Sequence, residues 1–548
     1  MTAPSPDHRI EALLGAMTPA EKLGQLTMLA AEFAVTGPTV SGDYVARVRA
    51  GACGSLLNLW GTDRVREMQR VAVEESRLGI PLFFGFDVIH GHRTVFPSPL
   101  GETAAFDPDL WRRTARAAAR EAAGDGIDLV FAPMLDIARD PRWGRIMEGP
   151  GEDPFVGARL AEAKVAGLQG ADLGAADAVA ATAKHFVGYG AVQAGREYAS
   201  ADISDRTLHE VHLPPFQAAV ASGVAAIMPA FQDLAGMPMT AHGPLLRGLL
   251  RERWGFDGVL ISDYGAVREL LAHGVAGDIA EAAALALNAG VDIDMMGDAY
   301  RLGLPVAIER GLVSPERIDE AVRRVLRLKF RLGLFDDPYR RVHGTGGVLP
   351  ELRALAREAA QRSAVLLANR NAVLPIDPKL RRIAVIGPLA DNGRDLLGPW
   401  AGTGEGADPV TLVAGLRAAL PRTDIVTASG VAIDSNDDAG IELAVALARS
   451  ADLVVLCLGE SAELSGEAAS RGRPGLPGRQ AALAEAVLAL GKPVVAVLVA
   501  GRPLAIADLA ARAEAVLMAW HPGSEGGNAI ADILTGRAAP TGRLPVSW

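Results

Sequence analysis

Cysteine is nearly absent. Cys53 and Cys457 are the only two in 548 residues, and they stand in opposite halves of the chain. A disulfide framework therefore cannot support the fold, and both are expected to be buried, unreactive thiols. Positive charge is also short: Asp plus Glu number 65 against 54 Lys plus Arg, a net charge of −11. That balance excludes the basic footprint of a nucleic-acid binder and argues against an anionic membrane surface as partner. No window reaches the roughly 18–20 uninterrupted apolar residues of a membrane span. The first residues, MTAPSPDHRIEALLGAM, lack the basic-then-apolar pattern of a secretory leader, so a cytoplasmic location is expected, with the periplasm or export for a chain trimmed at its start. Motifs for cofactors are missing too. HGH (90–92) has no third-ligand spacing for zinc, and IGPLADNG (386–393) lacks the glycine patterns of nucleotide loops. Neither a metal nor an organic cofactor is expected.

What the chain does have is apolar material, 49% of its residues, and enough length for two large α/β domains. Short apolar runs alternate with helical stretches over the first part. They are QLTML (25–29), GSLLNLW (54–60), LFFGFDV (82–88), LVFAPMLD (129–136), AATAKHF (180–186), AAIMPAF (225–231), GVLISD (258–263) and VDIDMM (291–296). Eight βα units in one series predict a (β/α)8 TIM-like barrel over 1–335, with a doubly wound open sheet as the alternative. Residues 336–360 are turn-rich and polar at their start and read as a linker. From 361 to 548 a second series, RIAVIG (382–387), DLVVLCLG (452–459), PVVAVLVA (493–500) and AEAVLMAW (513–520), has the continuous Val/Ile/Leu character of parallel strands covered on both faces. This predicts a three-layer α/β sandwich.

In a barrel, the C-terminal ends of the strands converge on one open face, where chemistry is done. Several of these runs end on polar groups: Asp87 followed by Arg93, Asp136 by Arg139, Lys184 with His185, Asp263, and Asp292 with Asp294. Carboxylates accept and cationic side chains donate hydrogen bonds to the hydroxyls of a sugar. A carboxylate among cations is expected to hold a low pKa and stay ionised, which suits a nucleophile at an anomeric carbon. A proton donor for the leaving oxygen is then needed. The loop GESAELSGEAASR (459–471) follows a second-domain strand and carries Glu460, Glu463 and Glu467; Glu269, on the helical stretch after Asp263, is the rival.

These segments resemble glycoside hydrolase family 3, the β-glucosidase family. The matching pieces are FDVIHGHRTVFP (86–97), ARDPRWGRIMEGPGEDP (138–154), KHFVGYG (184–190), REYASADIS (196–204), GVLISDYGA (258–266), GEAASR (466–471) and TGRLPVSW (541–548), in the family's order. The resemblance implies a barrel plus an α/β sandwich with the site between them. It implies Asp263 as nucleophile and Glu467 as acid/base, with Glu269 as the alternative acid/base. It also implies Asp87, Arg93, Arg139, Lys184 and His185 as holders of sugar hydroxyls, Met228 and Phe231 as lining, and Tyr264 as a ring beside the nucleophile. Gln232 and Phe231 depart from the usual Asn and Tyr. No His follows KHFVGYG in AVQAGREY, which argues against the N-acetylglucosaminidase branch. The fibronectin type III-like domain of many relatives lies beyond Trp548 and is not expected in this chain.

The expected activity is that of a retaining, exo-acting β-glucosidase on β-glucosides and short β-linked gluco-oligosaccharides. A β-xylosidase, a glycoside phosphorylase and an inactive sugar-binding relative are the alternatives. The expected partner is a small carbohydrate, and a homodimer is among the assemblies open to the chain.

Overall fold

The computed structural model describes residues 5–31, 43–344, 349–404 and 409–548. Eight parallel strands form the first sheet: β1 (Thr27–Ala30), β2 (Ser55–Leu57), β3 (Phe83–Phe86), β4 (Leu129–Val130), β5 (Ala180–Phe186), β6 (Ala226–Pro229), β9 (Val259–Leu260) and β10 (Asp294–Met295). β1 pairs with both β2 and β10, and Ile261 bridges Ile293 in parallel, so the ring closes. The barrel anticipated from the alternating runs is present. Its strands read as apolar because both faces are covered: all four residues of β3 and all seven of β5 are buried.

The outer helices start where the local sequence dictates. In the helix Pro108–Gly124 the Asp107 carboxylate accepts from the Asp109 and Leu110 amides, and Pro108 takes the first position, where no amide is needed. That helix packs closely on Pro154–Gln169 because Gly167 has no side chain. A Cβ there would lie 2.5 Å from the Arg112 carbonyl oxygen. Between β6 and β9 the chain adds a hairpin, β7 (Asp233–Leu234) with β8 (Met237–Pro238), turned by Ala235 and Gly236 at φ 49° and 86°. Two positive-φ residues in a two-residue turn match the twist of the strands.

The second sheet runs in the order β11-β16-β15-β14-β12-β13, where β11 is Val365–Asn369, β12 Arg382–Ile386, β13 Asp424–Ala428, β14 Leu453–Gly459, β15 Val494–Val499 and β16 Ala515–Met518. Only β11 is antiparallel. One face packs on Leu412, Leu416 and Ile530, the other on Ala444, Leu483 and Leu509, which makes three layers. Cys457 lies buried on β14 and Cys53 in the barrel, both as free thiols.

From Pro350 the stretch read as a linker is a helix, Pro350–Ser363. It joins the two sheets and is bolted to both sides. Glu358 takes two bonds from Arg113 at 2.9 and 2.7 Å, and Arg357 holds Asp532 at 2.6 and 2.7 Å.

Candidate active site

The open face of the barrel carries a pocket roofed by loops of the second sheet. Asp263 leaves the end of β9 into it and is 8% exposed. Its Oδ1 accepts from the Tyr264 amide at 2.7 Å. Its Oδ2 lies 3.7 Å from His185 Nε2 and has no hydrogen-bond partner among the described residues. Burial, seconded by the nearby Glu467, pushes the Asp263 carboxyl up to about 7 against the pull of Arg145 and Lys184. The expectation of a low pKa is therefore corrected: desolvation outweighs the cations.

Lys184, on β5, donates to Asp87 Oδ1 at 2.9 Å, and Asp87 follows β3 directly. Its ammonium also sits 5.4 Å from the centre of the Trp400 ring, which comes from the second domain. Beside Lys184, His185 places Nδ1 2.9 Å from Asp136 Oδ2, and its amide donates to the same oxygen. Burial, with Arg145 and Lys184 nearby, drives the His185 pKa well below its ordinary value, so the ring is neutral. Burial also raises Asp136, to about 7.

Arg145 supplies the fixed positive charge. Glu148 grips its guanidinium through both oxygens at 2.9 and 3.0 Å, and its Nη1 stands 3.7 Å from Glu467 Oε2. Burial opposes the cation, but Glu148, Glu467 and Glu197 outweigh it and hold its pKa well above normal.

Glu467 arrives on the loop after β14 and lines the same cavity. Glu460 anchors that loop. It is fully buried and takes Ser465 at 2.9 Å, Arg502 at 3.1 Å and Arg471. Arg502 goes on to the Pro141 and Arg142 carbonyls at 3.0 and 3.1 Å, and the Gly466 amide to the Gly144 carbonyl at 2.9 Å. The loop is thus sewn to the barrel on either side of the carboxylate. Glu463 is exposed, 3.8 Å from Arg394.

The structure brings Asp87, Lys184, Met228, Asp263, Tyr264 and Glu467 to the cavity wall, with His185 against Asp263. Four other expected residues are elsewhere. Arg139 is exposed, because it precedes the turn that carries the chain inward; Arg145, later in the same motif, is the arginine in the cavity. Arg93 binds Asp125 at 2.8 Å and its amide binds Glu121, so it pins the loop after β3 and does not line the cavity. Phe231 sits one layer back, edge-on to Tyr198 and Tyr189. Glu269 ends the short helix Ala266–Glu269 on its exposed side. Of the two other strand-end carboxylates, Asp292 is spent on Arg251 and Arg324, and Asp294 on the amides that open the helix Ala299–Glu309. Both HGH histidines are structural: His90 bonds the Phe96 and Pro399 carbonyls and His92 bonds Asp125.

Sequence reasoning missed Asn58, Phe131, Arg145, Met295 and Trp400 on the cavity wall. Asn58 stands just past β2 and obeys the strand-end rule that found the others. Trp400 had no such signal, since a loop of another domain delivers it.

Comparison with known proteins accounts for both domains. Residues 18–328 match the glycosyl hydrolase family 3 N-terminal domain and 364–548 its C-terminal domain. A periplasmic β-glucosidase of Salmonella typhimurium is 39% identical over all of this chain and 75% of its own length. A β-xylosidase of Formosa agariphila is 36% identical over 89% of this chain and 71% of its own. A β-glucosidase of Listeria innocua, solved with glucose, superposes with a TM-score of 0.92 at 40% identity, covering 99% of this chain and 76% of that one. With both of its domains matched and a barrel-and-sandwich architecture shared with these relatives, the chain belongs to glycosyl hydrolase family 3.

Proposed function

We propose that this chain is a retaining, exo-acting β-glucosidase that frees glucose from the non-reducing ends of β-glucosides and short β-linked gluco-oligosaccharides. One observation carries the reading. A buried carboxylate with an unengaged oxygen, Asp263, shares a cavity with hydroxyl-binding groups (Asp87, Lys184, Arg145) and with a second carboxylate, Glu467.

In this reading Asp263 Oδ2 attacks the anomeric carbon while the bond to the leaving oxygen breaks, and Glu467 protonates that oxygen. Water then attacks the glycosyl-enzyme, gives its proton to Glu467, and the carbon–Oδ2 bond breaks. The two carboxyls favour complementary states. Protonating Glu467 removes the like charge that helps raise Asp263, so an ionised nucleophile and a protonated acid support each other. The exposed side of the Ala266–Glu269 helix favours Glu467 over Glu269 as the acid/base.

A 2-fluoro-glucoside should trap the intermediate on Asp263, read by peptide mass, and Asp263→Ala should end turnover without unfolding the chain. Label on any other residue overturns the assignment. The Formosa agariphila relative motivates a second reading, a β-xylosidase, which would turn over an aryl β-xyloside faster than the aryl β-glucoside. No described helix is long and apolar enough to cross a membrane. Fractionation decides between the cytoplasm and the periplasm, where the Salmonella typhimurium relative is named.

A further inference from the structure

We propose that Tyr198 is a positioning residue that reaches across the domain boundary to aim Glu467. The proposal rests on the reading of Glu467 as acid/base. Tyr198 Oη donates to Glu467 Oε1 at 2.7 Å. That leaves Oε2, the oxygen on the Arg145 side, as the one that carries the travelling proton.

The surroundings hold the tyrosine to this task. Its backbone sits at φ 63°, in the left-handed region that a bulky residue enters only when the structure around it compels it. Its ring meets Phe231 edge-to-face with centres 5.4 Å apart. The residues beside it are tied to the same second-domain loop: the Glu197 amide donates to Ser470 Oγ, and that hydroxyl donates to the Gly195 carbonyl, both at 2.8 Å. Segment 195–198 is thus a clasp on loop 465–471, and Tyr198 is its point of contact with the carboxylate. Burial and the adjacent Glu467 raise the phenol far above its ordinary range, so it remains a donor at every working pH.

The charged groups around Glu467 are Arg145, 3.7 Å away, and the acids Asp263 and Glu197, with Glu269 at the cavity's edge. The phenol fixes the Oε1 end of the carboxylate, and removing it frees that end to rotate.

The test is Tyr198→Phe, which keeps the ring on Phe231, assayed on 2,4-dinitrophenyl β-glucoside, whose departure needs little acid help, and on 4-methoxyphenyl β-glucoside, whose departure needs much. The variant should lose about tenfold more kcat/KM on the second substrate than on the first, as expected for one charged-group hydrogen bond. Equal losses on both substrates would reduce Tyr198 to a packing residue and overturn the proposal. Glu467→Gln is run alongside: if it fails to discriminate between the two glucosides, the reading of Glu467 itself falls, a different failure from the first. Turnover of the dinitrophenyl substrate doubles as the check that each variant is folded.

Discussion

Replacing Asp263 with asparagine should stabilise the protein at neutral and alkaline pH while destroying its proposed activity. The reasoning follows from the carboxyl's position. In the unfolded chain an aspartate titrates near 3.9. In the fold, burial and Glu467 move it to about 7. The folded state therefore binds the proton more tightly, and stability falls as pH rises between these values. At roughly 1.4 kcal/mol per pH unit, the full window is worth about 4 kcal/mol. That is an upper bound, since removing one carboxylate also relieves the other. Asparagine has nearly the same shape and never ionises. Calorimetric melts of wild type and Asp263→Asn at pH 8 should place the variant higher, and the gap should close toward pH 4, where both side chains are neutral. A variant that melts with or below wild type at pH 8, or a gap that does not depend on pH, would refute the claim that burial raises this carboxyl.

The remaining predictions concern the other walls of the cavity. Arg145→Lys keeps the charge but loses the two-pronged grip of Glu148, so kcat/KM should fall about 100-fold, while the exposed Arg139→Ala should stay within about twofold in the same assay. Trp400→Ala removes the ring over Lys184 and Arg145 and should raise KM about tenfold, as read from initial rates. Glu460→Gln strands two arginines beneath the Glu467 loop, and a partner lost from a buried pair costs about 3–5 kcal/mol. The loop should loosen, seen as faster hydrogen exchange over 461–471, and turnover of unactivated glucosides should drop more than that of dinitrophenyl glucoside.

The central strands of both sheets were legible because parallel strands buried on both faces are written as unbroken apolar runs. In the second sheet, the strands that escaped notice, β11 and β13, are its two edges, where burial is partial and the apolar run is diluted. The strand-end rule pointed to Asp87, Lys184 and Asp263, which the structure gathers around one pocket, because barrel strand ends converge there. It misjudged Arg139 against Arg145, because a motif with several arginines does not say which one a turn will carry inward. It also could not foresee that burial would overrule the cations around Asp263, for desolvation depends on what the rest of the chain covers. Trp400 and Tyr198 were invisible for a related reason: each acts on a group of the other domain, and no local pattern records that encounter.

The roof of the cavity has a consequence for how such a chain can change. Asp87, Lys184, Arg145 and Asp263 ride on the barrel, whereas Trp400, Glu463 and Glu467 ride on loops of the sandwich. If the site works as proposed, recognition of the severed sugar and traffic with the departing portion are inherited on separate scaffolds. Divergence in the sandwich loops could then retune which aglycones are accepted while the barrel half of the pocket stays untouched, so specificity can drift without rebuilding the proposed nucleophile.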